Sequence, residues 1–182
     1  MLDKKTSNGK KKKNRKTYIV DISDLEKTWA NFEKRTRYEI RKAEKNSILR
    51  FSKFQKHSFL RQKHDNKFSD KWVSDLYYLL KKHNMGKLYL LPEAGALVAW
   101  IDNKKAYWLM GGSTARGKKA GMPSLLLWLM MQDLHQMGFK ELDMVGANTP
   151  SIAFFKRGFG GKLTKEEKIW EKLHKIIKFR WV

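Results

Sequence analysis

The 182-residue sequence contains no cysteine, which excludes a disulfide-stapled scaffold, a thiolate zinc site and a cysteine nucleophile. No apolar run approaches the roughly 18 residues that a membrane span requires. The N-terminus lacks an apolar signal core, so the expectation is a soluble, cytoplasmic chain with no membrane span. Neither a Gly-x-Ser-x-Gly elbow nor a Walker loop is present. The five histidines (57, 64, 83, 135 and 174) lack metal-ligand spacing, so no metal is expected and His135 reads as structural. Acidic residues are scarce as well, 18 Asp+Glu against 40 Lys+Arg, for a formal charge of +22.

What is present suffices for a folded domain. Hydrophobic residues make up 41% of the chain, with 7 Trp, 10 Phe and 6 Tyr, enough to build a core of ordinary size. Trp72, Trp108, Trp128 and Trp170 lie in apolar runs and read as core rather than as base-stacking platforms. Residues 1–16 form a basic, flexible arm of charge +7, which leaves +15 on a single domain at 17–182. That excess predicts an anionic partner without naming it.

Periodicity and punctuation predict a mixed α/β domain whose sheet is largely antiparallel and flanked by helices. Tyr18-Ile19-Val20 reads as a strand. Ser23 to Glu26 reads as a capping box opening a helix to about Asn46, with Leu25, Trp29 and Phe32 on its apolar face. Ile48–Phe54 reads as a strand, and Ser69 or Asp70 opens a second helix with Gly86 just beyond its end. Leu88–Leu91, Ala96–Ile101 and Ala106–Met110 are short apolar runs between turn residues, the pattern of a meander. A Gly- and Lys-rich loop at 111–121 then leads into an apolar helix at Ser124–Met137, closed by Gly138. Lys140–Val145 reads as a strand and Pro150–Arg157 as a short helix, before a basic, aromatic C-terminal stretch.

Three segments carry candidate chemistry. In the loop, Arg116, Gly117, Lys118, Lys119 and Gly121 stand before a helix start, where backbone N–H groups and cationic side chains cradle phosphates; a solvated surface loop has the same composition. Arg37, Arg41 and Lys45, with Lys34, form one helical stripe suited to a diphosphate or an RNA backbone, or simply to solvent. Asp143 lies mid-strand and faces away from Leu142 and Met144; its carboxylate either serves an amine or holds loop N–H groups. Glu93, in a turn, is an outside candidate for a base.

The segment Asn148-Thr149-Pro150-Ser151-Ile152-Ala153-Phe154-Phe155-Lys156-Arg157-Gly158-Phe159 resembles the second half of the acyl-CoA site in GNAT acetyltransferases. Arg116-x-x-Lys119-x-Gly121 resembles their pyrophosphate loop, with Lys119 at the usual central glycine. Arg37-Tyr38-Glu39-Ile40-Arg41-Lys42-Ala43-Glu44-Lys45, Pro123–Trp128, Leu142–Ala147 and Phe155-Lys156-Arg157-Gly158 are similar, in order, to the FemAB-like branch of that superfamily.

This resemblance, over roughly residues 17–165, implies a GNAT-like fold and an N-acyltransferase. It implies that acyl-CoA (acetyl-CoA) is the donor and an amine the acceptor, with Arg116, Gly117, Lys118, Lys119, Gly121 and Asn148 on the cofactor. It also implies a V-shaped split between the strand ending at Gly112 and the strand starting at Lys140, opening onto the Arg116 loop. Lys156 and Phe155 become catalytic candidates, because Phe154 stands where many GNAT enzymes carry a proton-donating Tyr, and Asp143 joins them on its mid-strand position. The FemAB-like branch offers an alternative, an aminoacyl-tRNA donor serving a peptidoglycan precursor. A third reading is a non-catalytic RNA- or anion-binding module on a degenerate scaffold. The chain resembles the second of the branch's twin domains, so a homodimer or a companion GNAT-like chain is an expected partner, beside tRNA.

Overall fold

The computed structural model describes residues 15–47, 70–147 and 149–179. The expected strand at 48–54 lies outside the described residues, as do Asn148 and positions 1–14 of the basic arm. The elements are β1 (Lys16–Asp21), α1 (Leu25–Asn31), α2 (Lys34–Ser47), α3 (Asp70–Lys82), β2 (Gly86–Leu91), β3 (Ala94–Trp100), β4 (Lys105–Ser113), α4 (Ala115–Lys119), α5 (Met122–Gln136), β5 (Glu141–Asp143), α6 (Pro150–Arg157), β6 (Lys162–Lys165) and α7 (Ile169–Phe179). The strands form one six-stranded sheet in the order β2-β3-β4-β5-β1-β6. Every pairing is antiparallel except β4 with β5. This is the mixed, largely antiparallel architecture expected from the sequence.

Alternation along the strands divides the core into two layers. Ala96, Val98, Leu142, Met144 and Val20 face α5 and α2, while Leu97, Ala99, Tyr107 and Leu109 face α3 and α7. All seven residues of β3 are buried. Helix α5 is apolar around most of its circumference because it lies between the sheet and α2, with Trp128 packed against Trp29 and Phe32. Glycines bound it, Gly121 at φ 79° before its first turn and Gly138 at φ 92° after its last.

Several local expectations are corrected. The first helix is capped by Asp24, whose carboxylate accepts from the Glu26 and Lys27 N–H groups, while Ser23 donates to Asp21. One continuous helix to Asn46 does not form: α1 stops before Phe32, and Glu33 N–H donates to Gly158 O at 2.9 Å, so a tertiary contact turns the chain. The Arg37 guanidinium then donates to the carbonyls of Ala30 (3.0 Å) and Phe32 (2.5 Å), closing the end of α1. Gly86 opens β2 instead of following a helix end, a place taken by Asn84 at φ 52°. The expected loop at 111–121 is shorter than its composition suggests, since β4 runs to Ser113 and α4 occupies 115–119.

Candidate active site

Strands β4 and β5 are paired only at Lys105–Glu141, Ala106–Leu142 and Tyr107–Asp143. Beyond that point β4 continues to Ser113 against β3, whereas the chain after Asp143 bends through Val145 (φ 38°) and Gly146 (φ 75°). This arm stays on β1, because Met144 N–H donates to Tyr18 O (2.9 Å) and Ala147 N–H to Lys16 O (2.7 Å). The two strands therefore part in a V-shaped split of the backbone beyond Tyr107 and Asp143, with side chains between its arms.

Lys156, from α6, is 5% exposed and lies in the split. Its ammonium donates to three consecutive carbonyls of the β5 arm, those of Met144, Val145 (2.5 Å) and Gly146 (2.7 Å). It also lies 4.8 Å from the centre of the Trp108 ring, on β4. All three ammonium protons are thus bonded, and the cation bridges both arms of the split. Burial pushes its pKa down to about 8, against the opposing pull of the Asp143 and Glu166 carboxylates.

Asp143 is buried on the other side of the β5 strand, as the alternation implied. Thr17 Oγ1 donates to its Oδ1 at 2.5 Å and Val145 N–H at 2.9 Å. Burial raises its pKa, and these two hydrogen bonds oppose the rise. Of its two sequence readings, the carboxylate that holds loop N–H groups has a visible counterpart in the Val145 bond. Phe155 packs edge-on to Phe159 and reaches the Trp108 ring at 6.4 Å, forming a wall beside Lys156. Phe154 is instead 45% exposed, with the Arg35 and Arg157 guanidinium groups over its ring.

The segment Arg116 to Gly121 departs from an open cradle. Gly117 N–H donates to Thr114 Oγ1 at 3.0 Å, and Gly121 N–H to Lys118 O at 3.1 Å. Each glycine sits where a Cβ would strike backbone, 2.4 Å from Glu93 O at Gly117 and 2.4 Å from Glu39 O at Gly121. Glu93, the outside candidate for a base, accepts from Thr114 Oγ1 at 2.5 Å and so fixes the start of α4. Arg116, Lys118 and Lys119 are exposed. On α2, Arg41 lies over Trp29 at 5.7 Å and Lys45 is exposed, but Arg37 has its Nη1 on the α1 carbonyls.

Sequence reasoning missed Trp108, which had read only as core, and Thr17 and Glu166 altogether. The one signal for Trp108 was Gly111 within a strand, a mark of close approach by another group. His135 is structural as expected, its Nδ1 lying 2.7 Å from Ile22 O.

A family model described as an acetyltransferase (GNAT) domain matches residues 25–157. No curated protein matches the chain. Among solved structures, a crystal structure of FemX superimposes with a TM-score of 0.65 at 13% identity, covering 84% of this chain and 60% of that one. The chain therefore spans less than two thirds of the FemX chain it matches. A C-terminal domain from Agrobacterium fabrum, described as belonging to a lysylphosphatidylglycerol synthetase, gives 0.49 at 17% identity, covering 84% and 58% of the two chains.

Proposed function

The chain belongs to the acetyltransferase (GNAT) domain family, and from that premise we propose that it is an N-acyltransferase whose reacting carbonyl sits at the mouth of the β4/β5 split, beside Lys156. The observation that carries this reading is a buried ammonium held by three carbonyls between the two arms. An amine nitrogen attacks the acyl carbon, the carbonyl oxygen becomes an oxyanion, and its collapse breaks the bond to the leaving oxygen or sulfur, which takes the proton that the amine nitrogen gives up. A cation already fixed in a water-poor cleft stabilises the oxyanion without reorganising. Lys156 acts in this scheme by its field, since its protons are bonded elsewhere. Asp143 holds the arm through Val145 N–H, and Phe155 walls the cleft from α6.

The donor we favour is an aminoacyl ester on a tRNA. Lys156 and Trp108 stand where a pantetheine arm would thread between the strands, and the Gly117 and Gly121 N–H groups are bonded internally. An ester at the end of an RNA needs only the mouth of the split, while Arg116, Lys118, Lys119, Arg41 and Lys45 meet phosphates outside it. Acyl-CoA is the second reading, favoured by the same exposed cations at the start of α5. The acceptor, a peptidoglycan precursor amine in the FemAB-like reading, would approach with the other half of its groove supplied by a second copy or a companion domain.

Thermal-shift titrations with deacylated tRNA and with acetyl-CoA separate the donors. A rise in Tm with tRNA that fades at moderate salt is expected. A rise with acetyl-CoA alone overturns the tRNA reading. No rise with either removes the donor site and leaves an anion-binding scaffold.

A further inference from the structure

Both arms of the split touch the Lys156 ammonium. The bend at Val145 and Gly146 presents its carbonyls to the ammonium, and the ring of Trp108 from β4 also meets it, 4.8 Å from ring centre to nitrogen. Trp108 has a definite pose. Its indole N–H donates to Met110 O at 2.7 Å, which draws the ring back along its own strand. The ring lies so close over Gly111 that a Cβ there would come within 2.3 Å of its Cζ2 atom. Any residue but glycine at 111 would lift the ring from the strand and change its distance to the ammonium. A cation over an indole face, away from water, gains more than the same pair at a surface.

We infer that Trp108, given room by Gly111, is a positioning residue: its ring and the carbonyls of Met144, Val145 and Gly146 together set the Lys156 ammonium at the mouth of the split. The spacing Trp108-x-x-Gly111 is then part of the site, although neither residue carries reactive chemistry. The charged groups acting on Lys156 from packed elements are Asp143 on β5 and Glu166 after β6, and both favour the ammonium form. Trp108 adds a neutral contribution of the same sign. Removing its π-face while keeping apolar bulk should therefore leave the amine easier to deprotonate.

The inference rests on Lys156 being the fixed cation of the proposed reaction, but its test reads the amine and not the donor. In protein carrying 13C-labelled lysine, the Lys156 side-chain signal, assigned with K156R, is titrated by NMR. W108L should lower the midpoint by about one pH unit, a tenfold change in the protonation equilibrium, while W108F restores most of it. G111A should move it in the same direction as W108L and supplies the test if W108L does not fold. An unchanged midpoint in W108L, or an equal shift in W108F and W108L, overturns the positioning role. A shift as expected without a Tm response to tRNA or acetyl-CoA keeps the positioning role and sinks the donor reading.

Discussion

Lys156 and the trio Arg116, Lys118 and Lys119 carry charge of the same sign in opposite surroundings. The lysine is 5% exposed, with its protons on three carbonyls and a ring against it. The trio is exposed, on a short helix whose glycines and threonine are occupied with internal contacts. A charge in water is screened within about a Debye length and acts mainly on encounter. A buried charge acts on whatever reacts beside it and cannot be removed without stranding its partners. Among the described residues, Lys156 is a buried cation that a charge count does not distinguish from the exposed ones.

The strongest way to break this contrast is Lys156→Met, which keeps an unbranched side chain one atom shorter and without charge. It leaves the carbonyls of Met144, Val145 and Gly146 without their cation, and should cost about 2–3 kcal/mol in urea unfolding. Acyl transfer by the variant should fall by about 100-fold, the scale of losing one oxyanion stabiliser. Wild-type stability here with inactive protein would keep the reaction role and discard the structural one.

A smaller effect separates the two regions by pH. The Lys156 pKa is lowered to about 8 in the folded protein, from an ordinary value of 10.5. Between those values the unfolded chain binds more protons, so this group makes the fold more stable as pH rises and less stable as it falls toward 8. Wild type relative to K156M should gain about 1.5 kcal/mol in urea unfolding free energy between pH 8 and 9.5. A flat difference would place the lysine in a far wetter site than its contacts imply.

The smallest effect is expected at the trio. R116A/K118A/K119A should alter unfolding free energy by less than about 0.5 kcal/mol. Its binding to tRNA should weaken, with the slope against log salt shallower by about 2. A loss of stability like that of K156M would mean that the segment is as much a structural element as the split.

Much of the fold was legible because it follows from local pattern. The three runs of the meander, the Pro150–Arg157 helix and the α5 segment each combine an apolar period with a glycine or proline at a boundary. Where the pattern failed, a long-range contact had overridden it. Phe32 continued the helical period, yet the chain turns there because Glu33 N–H reaches Gly158 O, 125 residues further on. Arg37 fitted a basic stripe, but the nearby end of α1 gave it carbonyls to bind. At the candidate site, Lys156 and Phe155 were visible through motif resemblance and Asp143 through strand alternation. Trp108 was not, since an indole in an apolar run looks the same whether it faces a leucine or an ammonium.

Local pattern along the chain was enough for the alternation that puts Asp143 opposite Leu142 and Met144, for the start and end of α5, and for an excess of cations in search of anions. Which cation is buried, and against what, came from the fold. Desolvation and partner geometry are properties of groups brought together from β4, the arm after β5, and α6, and no spacing along the chain records how close they come.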